Sequence, residues 1–233
     1  IFIGGGWPEI MKNKILRLPK IIIINTHPSL LPNYRGADVH RWQILNNEKI
    51  FGITFHFVDK FIDSGRIIFK RKIFASINNP IKLTVKLSKI ASNSIKTLFN
   101  KNLAITYRNQ KSVKIIYKRW NWFDKKFFFI KKKDFESIEN FVNASFNLPN
   151  NFNGPFIKIK DKKIIIRSAK IVDKTINFGK DNVKLFKNFF ALKLKLKNKM
   201  CKVKSIQLFE DKSWNKNENK SKLINNNFEN FFN

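Results

Sequence analysis

The stretch Ile21-Ile22-Ile23-Ile24-Asn25-Thr26-His27-Pro28-Ser29-Leu30-Leu31-Pro32-Asn33-Tyr34-Arg35-Gly36 leaves the chain few ways to fold. Four consecutive β-branched residues are too short a run for a helix and suit a strand buried on both faces. Polar residues and two prolines follow at once, so the strand is expected over 21–25, with a stiff loop after it. That places Asn25 and His27 just past the C-terminal end of a buried strand, where open α/β sheets hold their ligands. A His beside an Asn there offers a proton carrier and an amide donor. The carboxylate best placed to complete the set is Asp63, in Phe61-Ile62-Asp63-Ser64-Gly65.

The flanking sequence supports an α/β layer fold. Ile1-Phe2-Ile3-Gly4-Gly5-Gly6-Trp7 reads as a short strand running into a Gly-rich turn, without a dinucleotide fingerprint. Pro8 suits the first turn of a helix from Glu9 to Leu18. A second helix is expected from Asp38 to Leu45, with Asp38 near its N-cap. Strands follow at Phe51–Val58 and Arg66–Phe74, joined by a loop around Asp63. In the first of these, Thr54, His56 and Val58 share one face. The clearest helix starts at Pro80 and runs to about Asn100, with Leu83, Leu87, Ile90, Ala91, Ile95, Leu98 and Phe99 at three- and four-residue steps.

The remainder of the chain reads differently. Leu103 to Phe129 is irregular and aromatic, a linker packed on the first domain. Asp134 is expected to cap a helix ending near Phe146. Phe156–Lys160 and Lys163–Arg167 form a hairpin, and Phe190–Lys197 with Met200–Leu208 form another pair, which points to a small barrel or sandwich. Residues 210–233, mostly Asn, Lys, Ser and Glu, read as a disordered tail. The expected domains are 1–101, a linker and helix over 102–150, a small β domain over 151–209, and the tail.

Charge enters where partners are considered. The 233 residues carry a net charge of +31, from 47 Lys and Arg against 16 Asp and Glu, and only eight of the 47 are Arg. A basic surface suits nucleic acid, an anionic membrane or phosphorylated substrates. The joint excess of Lys, Asn, Ile and Phe equally matches drift under an AT-biased genome, and both readings stay open. The single Cys201 excludes an internal disulfide and a Cys-based zinc site, and fits a reducing cytoplasm. No metal is expected at the site. No apolar run reaches the ~18–20 residues of a membrane span, so no membrane partner is expected. The sequence opens on Ile1, directly in a strand, and the expectation is that a preceding part is missing.

The wording of the motifs is specific. Asn25-Thr26-His27-Pro28-Ser29-Leu30-Leu31-Pro32, Tyr34-Arg35-Gly36, Gly52-Ile53-Thr54-Phe55-His56-Phe57-Val58 and Ile62-Asp63-Ser64-Gly65 together resemble the folate-dependent formyltransferase family. The resemblance is strong over residues 1–75 and fades beyond residue 100. It implies a Rossmann-like formyltransferase domain, truncated at its start, followed by a small mostly-β C-terminal domain. It further implies transfer of a formyl group from 10-formyltetrahydrofolate to a primary amine.

By motif, the family's catalytic trio falls on Asn25, His27 and Asp63. Attack of a neutral amine on a formyl carbon builds an oxyanion, which an amide N–H from Asn25 stabilises. His27 donates to it or moves a proton, and Asp63 holds His27 or takes the amine's proton through a water. The resemblance places cofactor contacts at Gly5, Gly6, Trp7, Val58, Asp59 and Ile62, largely through backbone. Trp7 is the weaker of these, since packing explains it as well. Arg35 and His40 are candidates for the substrate side, each against a plain surface reading, and His56 reads as a structural histidine.

The acceptor expected is a nucleotide-linked amino sugar or similar small amine. Methionyl-tRNA is the alternative, and a non-catalytic basic nucleic-acid-binding protein is the alternative of another class. Gly36-Ala37-Asp38-Val39-His40 departs from the tRNA enzymes' wording. Residues 135–170 faintly resemble the second domain of the methionyl-tRNA and aminoarabinose enzymes.

Overall fold

Ile23 and Ile24 of the isoleucine run lie in an interior strand, and the ladder of that strand reaches further than its apolar residues do. The structure is a computed structural model describing residues 2–5, 11, 13–17, 22–99, 106–113, 115–120, 125–146, 154–159, 162–174, 176–186, 189–194, 199–209 and 221–224. It divides into two units, Ile1–Trp120 and Asn121–Asn233.

The first unit holds β1 (Phe2–Gly5), α1 (Asn13–Leu16), β2 (Ile23–His27), β3 (Arg35–Gly36), α2 (Val39–Leu45), β4 (Ile50–Phe57), β5 (Ile67–Phe74), α3 (Pro80–Phe99) and β6 (Ile116–Tyr117). Its main sheet has the order β1-β2-β4-β5. β1 runs parallel to β2, while β2–β4 and β4–β5 are antiparallel. β2 extends to His27 instead of stopping at Asn25, because β4 offers partners all along it: Asn25 faces His56 and His27 faces Thr54. Asn25 and His27 are therefore strand residues, held at the rigidity of a ladder.

The pleat sorts the side chains. On one face, Ile24, Ile53, Phe55 and Leu98 form a buried cluster, with Ile90, Ala91 and Ile95 of α3 packed against it. α3 begins where the sequence predicts, with Pro80 in its first turn and the Asn79 side chain accepting the Lys82 N–H at 3.0 Å as an N-cap. The opposite face carries Asn25, His27, Thr54 and His56.

α2 starts one residue later than expected, and Asp38 is not its side-chain cap. Asp38 sits at φ 51 with no capping hydrogen bond. Its carboxylate instead accepts the backbone N–H of Trp120 at 2.9 Å, a partner 82 positions away. Gly36, the last residue of β3, pairs with Tyr117 of β6 at φ +111, and a Cβ there would collide with the Tyr117 carbonyl. This position requires glycine.

The second unit holds α4 (Lys125–Phe128), a 3₁₀ segment (Lys132–Ser137), α5 (Ile138–Ala144), and β7 (Phe156–Ile159), β8 (Lys162–Val172), β9 (Val183–Phe186), β10 (Phe189–Lys193), β11 (Met200–Phe209) and β12 (Ser221–Ile224). The helix expected from Asp134 thus begins in a 3₁₀ segment and becomes α-helical only at Ile138. The strands form one antiparallel sheet, β7-β8-β11-β10-β9, with β12 also on β11. A register break between Val203 and Ile206 divides β11 between partners: its first half pairs with β10, its second with β12. Ser221–Ile224, inside the stretch read as a tail, is thus a paired strand. The core holds Ile130, Phe135, Ile138, Val142, Ile157, Ile164, Ile166, Phe190, Leu192, Cys201 and Val203. Burial pushes the Cys201 thiol up to about 12, which keeps it an inert core residue.

Candidate active site

The polar face of β2 and β4 opens on a cavity of about 730 Å³ lined by residues of the first unit. Asn25, His27, His56 and Asp63 lie on its wall together. The hydrogen bonds among them fix which atoms donate, because several partners are carbonyl oxygens that can only accept.

His56 Nδ1–H donates to the Phe57 carbonyl at 2.7 Å. In the neutral ring this leaves Nε2 as an acceptor, and Asn25 Nδ2 donates to it at 3.3 Å. Burial, the largest influence, pushes His56 below the ordinary histidine range, in keeping with that neutral form. One Nδ2–H of Asn25 is thereby used, and its second has no partner among the described residues. His27 Nε2–H donates to the Tyr34 carbonyl at 2.6 Å. Its Nδ1 then points to Asp63, 3.4 Å from Oδ2. Asp63 Oδ1 lies 3.7 Å from His56 Nε2, and Oδ2 accepts the Gly36 N–H at 2.9 Å. The array is a carboxylate flanked by two histidines, with an amide donor beside it.

The Pro-rich loop supports this arrangement. Thr54 Oγ1–H donates to the Ser29 carbonyl at 2.6 Å and accepts the Leu31 N–H at 3.1 Å. Ser29 Oγ–H donates to the Asn33 carbonyl at 2.7 Å. These contacts hold Tyr34 at φ 58, the conformation that turns its carbonyl to His27. The Tyr34 ring stacks on Tyr117 of β6 at 4.7 Å and donates its hydroxyl to Glu48 at 2.6 Å. Burial and that acidic partner push the phenol well above its ordinary value.

The expected site residues separate into groups. Asn25, His27 and Asp63 converge. Val58, Asp59, Ile62 and His40 line the same cavity. Burial pushes His40 below the usual histidine range. Gly5 lies on β1, against the Thr26 side chain, and does not line the cavity. Gly6 and Trp7 fall outside the described residues. Arg35 does not line the cavity either: it is buried, and its guanidinium donates to Gln110 Oε1 and the Lys111 carbonyl.

Other residues escaped the sequence reading. His56, read as structural, touches both Asn25 and Asp63. Its face-sharing with Thr54 was visible, but its register opposite Asn25 was not. Ile116, Tyr117, Lys118 and Arg119 line the cavity from a stretch read as linker. Nothing local in those residues signals it.

Residues 2–89 match the family described as formyl transferase. A methionyl-tRNA formyltransferase of Thermodesulfovibrio yellowstonii is 40% identical over 93 residues, covering 39% of this chain and 30% of the relative. The bifunctional polymyxin resistance protein ArnA of Wigglesworthia glossinidia brevipalpis is 32% identical over 169 residues, covering 70% of this chain and 25% of the relative. The chain thus spans less than a third of these curated relatives' lengths. Among solved structures, the sugar 3N-formyl transferase WlaRD, seen with dTDP and 5-N-formyl-THF, aligns at a TM-score of 0.62 and 22% identity, covering 87% of this chain and 71% of that one. The fold is that of a formyl transferase, with a mixed α/β sheet followed by an antiparallel sheet.

Proposed function

We propose that the cavity of the formyl transferase segment takes 10-formyltetrahydrofolate and a primary amine, and moves the formyl group from one to the other. The observation that carries this reading is the convergence of Asn25, His27 and Asp63 on one wall, with donors and acceptors assigned by their carbonyl partners.

The residues fit both reactants. The loop bearing Val58, Asp59 and Ile62 also presents Phe61, 64% exposed, and Ile62, 39% exposed, to the cavity. Large apolar groups beside polar ones suit a flat, amphipathic ring system such as a pterin. When bound, the folate supplies an activated formyl group. The second Nδ2–H of Asn25 is then the donor for the formyl oxygen as it gains charge. His27 Nδ1, with its other nitrogen committed to Tyr34, is the atom that would take the proton the amine gives up and would return it to the folate nitrogen from which the formyl group departs. Asp63 supports that charge and is itself oriented by the Gly36 N–H.

For the acceptor, we favour a phosphorylated small amine such as a nucleotide-linked amino sugar. The cavity carries Lys118 and Arg119, both exposed and without an ion pair among the described residues. A guanidinium reads phosphate as a bidentate fork. A methionyl-tRNA acceptor is the second reading. It draws on the identity to methionyl-tRNA formyltransferases and on the exposed lysines of the second unit's strands, Lys158, Lys170, Lys193 and Lys204. The free thiol of Cys201 fits a cytoplasmic setting for either.

The test is formyl transfer by the full chain, with a thymidine-diphosphate amino sugar and with charged initiator tRNA as rival acceptors. Transfer to the sugar, with Arg119→Gln raising its KM and leaving the folate KM alone, is expected. Transfer to tRNA alone replaces the sugar by the second reading. A folded chain that neither binds tetrahydrofolate in calorimetry nor formylates either acceptor overturns the proposal.

A further inference from the structure

Asp63 occupies φ 47, a left-handed conformation that non-glycine residues adopt at a cost. Something must hold it there, and the structure shows what does. Residues 106–113 run beside the start of β5, tied by a reciprocal pair of bonds: Arg108 N–H to the Ile67 carbonyl at 2.9 Å and Ile67 N–H to the Arg108 carbonyl at 2.8 Å. This brings Gln110 under the Asp63 loop. Gln110 Nε2 donates one N–H to the Asp63 carbonyl at 2.9 Å and the other to the Gly65 carbonyl at 2.6 Å. Its Oε1 accepts from Arg35 Nε at 3.2 Å and Nη2 at 2.8 Å.

The orientation of this amide is unambiguous. Carbonyls only accept and a guanidinium only donates, so both ends of Gln110 are fixed by their partners. Every hydrogen-bonding position of the side chain is filled. Arg35 in turn precedes Gly36, whose N–H binds the Asp63 carboxylate. Asp63 is thus gripped twice from the same place: its carboxylate by the Gly36 amide, its backbone by Gln110 on Arg35.

We propose that Gln110, braced by Arg35, is a positioning residue that keeps the Asp63 carboxylate against His27. The proposal rests on the formyl-transfer reading above only for its catalytic consequence. It also assigns Arg35 to this clamp in place of the substrate contact expected from the sequence.

Gln110→Glu is the sharpest probe. The substitution keeps the size of the side chain and its pairing with Arg35 but offers no N–H to either carbonyl. In the full chain, kcat is expected to fall roughly 10²-fold, since a misplacement near 1 Å costs about that much. Both KM values are expected to hold, while the thermal midpoint falls modestly because the Asp63 and Gly65 carbonyls lose their donors. The loss should vanish when Asp63→Asn is already present, because the two changes act through one group.

A second readout needs no activity. The His27 imidazole cross-peak in a ¹H–¹³C spectrum, assigned with the Asp63→Asn chain, should move in Gln110→Glu in the direction it moves in Asp63→Asn. Arg35→Lys, which keeps the charge and loses the fork, should move it part of the way. A lower thermal midpoint with the His27 peak in place and kcat per folded molecule unchanged overturns the clamp. If the unaltered chain transfers no formyl group, the formyl-transfer reading fails, and the His27 peak still decides the clamp.

Discussion

The two units use the same device, a sheet whose pleat separates apolar from polar side chains, to opposite ends. In the first unit, the polar side chains of β2 and β4 are buried and bonded mostly to backbone carbonyls, two of them in the Pro-rich loop. His27, Thr54 and His56 are all under 5% exposed, yet each has named partners. In the second unit, the face away from the core carries Lys158, Lys170, Lys184, Lys193 and Lys204 in water, with Lys202 lying over the Phe189 ring at 4.3 Å. Lys170 and Lys202 are direct cross-strand neighbours. A buried polar group must find a partner or pay desolvation, whereas a solvated lysine needs none. The first face therefore tolerates few residue types, and the second tolerates many.

Four substitutions test that contrast. The largest effect is expected where an apolar core is emptied. Phe190→Ala in the second unit should cost about 3–5 kcal/mol in urea unfolding. A cost below about 1 kcal/mol would mean that this sheet is held by something other than its core. Next is Asn25→Ala in the first unit. It should lower kcat for formyl transfer by about 10²–10³-fold, equivalent to about 2.7–4 kcal/mol of barrier, with folding intact by circular dichroism. An unchanged rate removes Asn25 from the chemistry.

The third is a pH effect with a definite sign. Burial lowers His56 below its ordinary value near 6.5, so on acidification the unfolded chain takes up that proton first. Stability then rises with pH wherever the unfolded state binds more protons. His56 thus supports the fold above about pH 6.5 and withdraws that support as the pH falls below it. His40, lowered by its own burial, adds in the same sense. The urea midpoint should drop on acidification, and His56→Gln should flatten that drop in part. A midpoint as steep in His56→Gln as in the unaltered chain would assign the acid sensitivity elsewhere.

The smallest effect belongs to the solvated face. Lys170→Glu places opposite charges across β8 and β11 and should stabilise by about 0.2–1 kcal/mol, with transfer to a small amine unchanged. If it instead weakens tRNA binding and lowers the salt slope by about 1, the lysine face is a nucleic-acid contact, and the contrast between the units narrows.

How much of this was legible before the structure differs by residue. Asn25, His27 and Asp63 were legible through the wording of two short motifs, and α3 through its apolar spacing and Pro80. The end of β2 was not, because the ladder to β4, not apolar character, carries it to His27. Asp38 does hold the N-cap position of α2 as its sequence suggested, but its carboxylate caps no helix N–H, because the Trp120 amide claims it instead.

The sequence by itself determined which groups the chain offers: an amide and an imidazole at the end of a buried strand, and a carboxylate in the loop between the next two strands. Local residue order sufficed for that, since each group lies within or next to an element that its neighbours specify. Only the tertiary structure decided how those groups are aimed. It put His56 beside Asn25, turned Arg35 away from the cavity, and brought Gln110 to Asp63 and Lys118 and Arg119 to the cavity wall. The hydrogen bonds responsible join residues 31 to 82 positions apart, and separations of that size leave no periodic trace in the chain.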